Sequence, residues 1–468
     1  MEPLKLRPLQ VKSKNQVMRE PATLIAQPLG SGKTTVAVQA VVESGFSRVL
    51  VLGPRNTIAG WRLAIKRQWR QRQATPELRQ LDKTKTGKAN LEAFWNGEPG
   101  WFFVTWEFFA RQPVHYWNTV DVDVIILDEV QRMSNRKSKT WTNVRGMGKN
   151  AKKIALSGTF NGNRMQGAWT TLRWLFPERS DSSLYTTPLS FWRWADDWLI
   201  IEADEWLGFT EVQGERFEPG TMLSYYQSYI RESDVLDVEE PNVIIVDVPM
   251  CAAQKRLYKQ LETDLVMWLS TPDPLTGKKP VVLEMPGNFK LRARQITLGV
   301  PVLSANGTVT YDSDMVSPKF DMCLDILKSL DPMEPVLVFT HSRQYALAFA
   351  EKMNRKGIPA WAWAGNTTEA QRQAALADWG NGLQIIIAVV EAIAEGTDGL
   401  QYLCHNEIWV SESNNPLMNK QARARLPRMG QTRVVNRWML FSPDTHDVGI
   451  HSKQAQQIFE NNASLKGK

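Results

Sequence analysis

Apolar residues along this chain gather in short continuous runs, and stretches of helical spacing separate them. In the first half the runs fall at 23–26, 48–52, 101–105, 122–127 and 153–156. A second set falls at 335–340, 359–364, 384–390, 407–410 and 434–441. Short unbroken runs suit strands buried on both faces, and the helices between them supply the crossovers that parallel strands require. The pattern predicts an α/β chain with two parallel-sheet lobes in tandem. Between them, residues 180–312 mix helical spacing with turn signals such as Thr271-Pro272-Asp273-Pro274 and Ser304-Ala305-Asn306-Gly307. This stretch reads as a largely helical connecting region that packs partly on the second lobe. The expected divisions are 1–179 for the first lobe, 180–312 for the connecting region, 313–443 for the second lobe and 444–468 for a short polar tail.

The first run leads directly into chemistry. Thr23-Leu24-Ile25-Ala26 is followed by Gln27-Pro28-Leu29-Gly30-Ser31-Gly32-Lys33-Thr34-Thr35 and then by helical spacing from Val36 to Val42. Strand, glycine loop ending in Gly-Lys-Thr, then helix is the context of a phosphate-binding loop. Gly30 and Gly32 let the backbone curl so that its N–H groups point inward, and the new helix adds the positive end of its dipole. Lys33 reaches the terminal phosphates, the Thr34 hydroxyl can hold a magnesium ion, and Ser31 and Thr35 complete the loop. Gln27 stands where the general pattern has its first glycine.

Two further segments fit the same chemistry. Asp128-Glu129 closes the apolar run 122–127, where Asp128 can hold magnesium and Glu129 can deprotonate an attacking water. Far downstream, residues 421–431 read QARARLPRMGQ and place Arg425 and Arg428 three residues apart. Guanidinium groups are permanently charged and fork onto phosphate oxygens, so a pair at this spacing suits a nucleotide held elsewhere in the protein. Standing alone, the segment is equally a solvated basic helix end, and a lone Asp-Glu is usually a surface turn. Lys33 upstream, the acid pair and the lead-in Asn415-Pro416 together weigh against both bland readings.

With these residues in order, the chain resembles superfamily-two helicases over nearly its whole length, and within them the Swi/Snf-type branch of DNA translocases, in a compact form suggestive of phage or bacteria. Arg7-Pro8-Leu9-Gln10 is similar to the family's adenine-reading glutamine motif. Gly53-Pro54-Arg55 with Trp61, Phe103-Val104-Thr105-Trp106, the DEVQRMSNRKSK of 128–139 and Ser157-Gly158-Thr159 follow in family order. So do Ile230-Arg231 through Pro241, Gln254 and Tyr258, Val336 to His341, and the EGTDGLQ of 395–401. Departures are Gln131 for the usual histidine, Phe160 for a common proline, Ala424 for Gly or Asp, and Thr397-Asp398 in a usually glycine-rich loop. None removes a catalytic charge; they bear on how tightly hydrolysis is coupled to movement. The resemblance implies two RecA-like lobes that use ATP and Mg2+. It implies adenine read by Gln10, Gln131 near the nucleotide, and nucleic-acid contacts from Arg55, Thr105, Thr340 and Thr397.

Composition narrows the partner. The chain has 468 residues, 43% of them hydrophobic, enough for two or three domains with substantial cores. Lys plus Arg, 56, exceeds Asp plus Glu, 49, so placement matters more than the modest net charge of +7. Residues 131–153 hold eight bases and no acid, and Arg62, Lys66 and Arg70 recur at helical spacing. Both suit a nucleic-acid backbone, though such runs are often only solvated faces. Residues 196–218 hold eight acids and one base, Arg216, among several tryptophans. They read as a capped helical insertion whose tryptophans fill a small core, or alternatively as a protein-binding protrusion. Most of the nineteen tryptophans are expected to serve packing. Cys251, Cys323 and Cys404 lack metal spacing, the five histidines form no cluster, and no apolar run approaches a membrane span. A reducing, cytoplasmic setting, the host's cytoplasm for a phage product, is the expectation.

The sequence thus points to an ATP-driven motor that translocates on or remodels duplex or branched DNA, without sequence preference. A strand-separating helicase acting on DNA or RNA is the alternative. A nucleotide-gated scaffold would be expected to lack Lys33, Glu129 or the arginines, and a P-loop kinase or transport ATPase would not need Asn415-Pro416 before QARARLPRMGQ.

Overall fold

A computed structural model describes residues 6–27, 30–69, 76–158, 165–177, 187–204, 209–217, 221–224, 229–231, 239–264, 266–268, 281–283, 289–303, 308–365, 367–394, 399–428 and 430–447. The chain divides into two compact units, one running to Leu236 and the other beginning at Asp237.

The first unit is built on a parallel sheet. Its strands are β1 (Ala22–Ala26), β2 (Arg48–Gly53), β3 (Leu78–Leu81), β4 (Gly100–Thr105), β5 (Val124–Asp128) and β6 (Lys152–Ser157). An antiparallel ribbon, β7 (Leu199–Asp204) with β8 (Phe209–Glu215), precedes a last short strand, β9 (Tyr229–Arg231). The sheet order is β3-β4-β2-β5-β6-β1-β9. Every predicted strand of the first set is present. Their side chains explain the unbroken apolar runs: Ile125 and Leu127 of β5 enter one core, while Val124 and Ile126 enter the core on the opposite face.

The second unit repeats the plan with β10 (Asn242–Asp247), β15 (Val336–Thr340), β16 (Ala360–Trp363), β17 (Ile385–Val389), β18 (Asn406–Trp409) and β19 (Asn436–Phe441). All are parallel, in the order β10-β19-β18-β15-β17-β16. Two ribbons, β11 (Val266–Trp268) with β12 (Val281–Leu283) and β13 (Val302–Leu303) with β14 (Val309–Thr310), lie between β10 and β15.

The stretch expected to be a helical connecting region is therefore divided between the units. It carries three ribbons as well as helices, and it donates β9 to one sheet and β10 to the other. In the acidic segment, Ser190 caps the helix Phe191–Trp198, and Trp194 and Trp198 are buried in the first core. Trp206 lies outside the described residues. Seven tryptophans, from Trp61 to Trp409, are among the largest fully buried side chains, in keeping with a packing role.

A buried ion pair locks the second unit. Lys319 is 1% exposed and donates to Asp447 Oδ2 at 2.6 Å and to the Val410 carbonyl at 2.8 Å. Thr297 Oγ1 donates to the other oxygen of Asp447 at 3.1 Å. The expected polar tail thus includes a residue, Asp447, that is sealed in the core. Asp447→Ala is expected to cost about 3–5 kcal/mol, because it strands a buried ammonium. Urea unfolding of the second unit reads this, and a loss below about 1 kcal/mol, the range of exposed pairs, would contradict the burial.

Candidate functional site

In a parallel sheet the loops that follow the strands gather along one edge, and this edge of the first unit holds the candidate ATP residues. The loop after β1 turns through Gly30 and Gly32, at φ of 83° and 85°, a left-handed conformation that suits glycine. The helix Lys33–Glu43 then begins, with Lys33, Thr34 and Thr35 in its first turn. Lys33 Nζ donates to the Gln27 carbonyl at 2.9 Å, folded back onto the base of its own loop.

The loop is braced from below by amides. Gln27, in the place of the usual glycine, is 1% exposed. Its Nε2 donates to Ser13 Oγ at 2.8 Å, and its Oε1 accepts from Ser31 Oγ at 3.4 Å. Gln10 Nε2 donates to the Ser31 carbonyl at 2.7 Å, while its Oε1 accepts from the Arg7 N–H at 3.0 Å. A Cβ on Gly32 would lie 2.5 Å from Gln10 Nε2, so any other residue here would displace the Gln10 amide as well as strain φ. Gln10, expected only to read adenine, is also a strut of the phosphate loop.

The acid pair stands at the end of β5. Asp128 is buried, and its Oδ2 accepts from Trp61 Nε1 at 2.9 Å, while its carbonyl accepts from Trp106 Nε1 at 2.9 Å. Burial, with the neighbouring Glu129 charge second, pushes the Asp128 carboxyl up to about 7, against the Trp61 bond and the Lys33 charge. A desolvated carboxyl of this kind favours a cation. With the Thr34 hydroxyl it supplies hard oxygen donors, and no group of three or more His, Cys, Asp or Glu able to hold a metal occurs among the described residues. That sparse donor set fits Mg2+, which is bound by one or two protein oxygens together with substrate phosphates.

Glu129 adopts φ 52°, unusual for a side chain bearing a Cβ. Gln131 Nε2 donates to Glu129 Oε2 at 2.5 Å, and Gln131 Oε1 accepts from Ser157 Oγ at 2.6 Å. Gln131 was expected at the nucleotide. Its carboxamide spans from the acid pair to Ser157 at the end of β6, so the coupling motif reaches Glu129 through it. Thr159 lies outside the described residues.

The second unit carries the arginines. Asn415 caps the helix Pro416–Arg423, which runs into the segment with Arg425 and Arg428. Arg425 is 8% exposed and donates to the Ala394 carbonyl, while Arg428 is half-buried. Arg423, the residue that spacing alone cannot separate from its neighbours, is structural. It pairs with Glu412, lies 5.3 Å from the Trp409 ring centroid, and its carbonyl accepts from Arg437 at 2.8 Å.

The expected nucleic-acid residues fare unequally. Arg55 is exposed at the end of β2. Thr105 is buried and caps the helix Trp106–Arg111 by accepting from the Phe108 N–H at 3.2 Å. Thr340 is 0% exposed, with its hydroxyl 3.2 Å from Ser411 Oγ. Both hydroxyls therefore take part in internal hydrogen bonds. Thr397 lies outside the described residues. Sequence reasoning missed Ser13, Trp61 and Trp106 as supports of the site; a tryptophan on a helix carries no sign that its N–H meets a carboxylate.

Residues 7–166 match the family model of the DEAD/DEAH box helicase. The chain is similar to the chromatin-remodeling ATPase INO80 of Mycosarcoma maydis, at 24% identity over 258 residues, covering 52% of this chain and 13% of that protein. The INO80 ATPase of Aspergillus oryzae is 25% identical over 174 residues, covering 34% of this chain and 12% of that protein. The chain therefore spans only a small part of the length of these relatives. Among solved structures it aligns with the Sulfolobus solfataricus SWI2/SNF2 ATPase core in complex with dsDNA. That alignment has a TM-score of 0.39 and 17% identity, covering 100% of this chain and 95% of that one.

Proposed function

We propose that this chain, a superfamily-two helicase/ATPase of the Swi/Snf type, hydrolyses ATP to translocate on or remodel duplex DNA. The observation that carries the reading is the assembly on one sheet edge of Lys33, Asp128 and Glu129, braced by Gln10, Gln27 and Gln131. Lys33 leaves the Gln27 carbonyl for the terminal phosphates, while the loop N–H groups take the rest of the phosphate charge. Thr34 and Asp128 would hold Mg2+, which would supply positive charge to offset that of the phosphates. Glu129 takes the proton of the attacking water, and Gln131 fixes the carboxylate that receives it. Arg425 and Arg428 offset charge on the transferred phosphoryl group. Arg55 is the exposed residue proposed to touch the DNA backbone, a contact that favours no sequence and weakens with salt.

Phosphate release measured in parallel with duplex, branched and single-stranded DNA and with RNA tests the reading. Duplex or branched DNA is expected to stimulate turnover most. Stimulation by single strands alone would replace duplex translocation with strand separation, and no stimulation by any nucleic acid would sink the motor.

A further inference from the structure

Asp128 is held by two indoles, and each belongs to a helix that opens behind a neighbouring strand. In the order β4-β2-β5, the strand bearing Asp128 lies beside β2, with β4 next. The loop after β2 leads through Arg55 into the helix Ile58–Trp69, and Trp61 of that helix donates to Asp128 Oδ2 at 2.9 Å. The helix Trp106–Arg111 follows β4 directly, and Trp106 Nε1 donates to the Asp128 carbonyl at 2.9 Å. Both indoles are buried, at 1% and 3% exposure. A buried indole N–H needs an acceptor, and a backbone carbonyl satisfies it as well as a carboxylate does. Spending one on the carboxylate proposed to hold Mg2+ ties packing to chemistry.

The two bonds act differently. The Trp106 bond fixes the main chain at Asp128, whereas the Trp61 bond fixes the plane of the carboxylate. Each carboxylate oxygen accepts more than one bond, so lone pairs are left for a cation. Hydrogen bonds of this kind orient a ligating carboxylate and tune its affinity.

Trp61 is also tied to the surface. The Pro54 carbonyl accepts from the Thr57 N–H at 3.0 Å and from its hydroxyl at 2.8 Å, which closes the turn Arg55–Thr57. That turn runs straight into the helix Ile58–Trp69. Arg55 and Trp61 therefore ride on one rod, roughly 10 Å apart at the usual helical rise. Ile58, Trp61 and Ile65 lie in the core, while Arg55, Arg62 and Lys66 are exposed.

We infer that Trp61 is a positioning residue that carries nucleic-acid contact at Arg55 to the Asp128 carboxylate, setting both metal affinity and stimulation of hydrolysis by DNA. The inference rests on the proposed function for its two ligands and adds the link between them. A backbone phosphate drawn to Arg55 bears on the helix, and the indole passes the displacement to the carboxylate. Coupling needs a contiguous packed path, and here that path is one helix and one hydrogen bond.

The test uses the full chain and Trp61→Phe, which keeps a ring in the core and removes the N–H. Mn2+ binding to the ADP complex, read by electron paramagnetic resonance of the free ion, is expected to weaken about 10–100-fold. The ratio of phosphate release with and without duplex DNA, at saturating metal, is expected to fall toward one. Trp101→Phe, in the same core on β4, is the packing control and is expected to keep both readouts. Equal losses in the two variants would make Trp61 a packing residue only, and wild-type Mn2+ affinity in Trp61→Phe would overturn the positioning role. In Arg55→Ala/Trp61→Phe, stimulation is expected to fall no further than in the weaker single variant; losses that add would overturn the shared path. One arm needs no variant and stands even where Trp61→Phe does not fold: duplex DNA is expected to tighten Mn2+ in the wild-type ADP complex about fivefold or more. No change there would overturn the link. A wild type that no nucleic acid stimulates would sink the motor reading, whereas Mn2+ binding without DNA judges the positioning role separately.

Discussion

Glu129→Gln is expected to lower ATP turnover by about a hundred- to ten-thousandfold, the usual contribution of a positioned base, with ATP still bound. The structure supplies a second cost beyond the lost base. Gln131 already directs its amide nitrogen at Glu129 Oε2, 2.5 Å away, and its amide oxygen accepts from Ser157. A glutamine at 129 must turn its carbonyl toward Gln131, or set two N–H groups against each other and break the link to β6. Phosphate release and binding of a fluorescent ATP analogue separate these effects. Near-wild-type release would remove Glu129 from the role of base.

Arg428→Ala is expected to reduce turnover by about three to five powers of ten, as arginine fingers do in other phosphate motors, and, as the less buried of the pair, to lower the thermal midpoint less than Arg425→Ala. Arg425→Ala is expected to lower both. Arg425 is buried and donates to the Ala394 carbonyl, so its removal orphans an acceptor at a cost of about 1–3 kcal/mol. Arg428 is half-buried. Steady-state hydrolysis beside a melting curve distinguishes the two, and wild-type hydrolysis by Arg428→Ala would end the arginine hypothesis.

The central strands were legible because burial on both faces forces unbroken apolar runs, as in Val124–Asp128 and Val336–Thr340. β3, Leu-Arg-Gln-Leu, was not, since an edge strand tolerates polar residues in its middle. β10, Asn242–Asp247, is apolar enough to read, but it belongs to a sheet whose other strands lie about a hundred residues on or more. For the ATP residues, loop and acid pair carry their chemistry in residue type. The hydroxyls of Thr105 and Thr340 do not, because one side chain can cap a helix or meet a phosphate, and only its surroundings decide. The same ambiguity hid Arg423, whose partners Glu412 and Trp409 mark it as a strut.

The pairing of β10 with β19 bears on how the protein is made. Asn242 meets Asn436 across 194 residues, and the Lys319–Asp447 pair closes from the same late segment. Contacts of such sequence separation are slow to form, since the loop entropy is lost before the bonds are gained. During synthesis the first unit has its whole main sheet by Arg231 and folds as the chain emerges. The second must wait for Phe441 and Asp447, with both edges of β10 unpaired until β19 is made. Chaperone demand and aggregation during expression therefore fall on the second unit, and shortening the chain before residue 447 removes the partner of the buried Lys319.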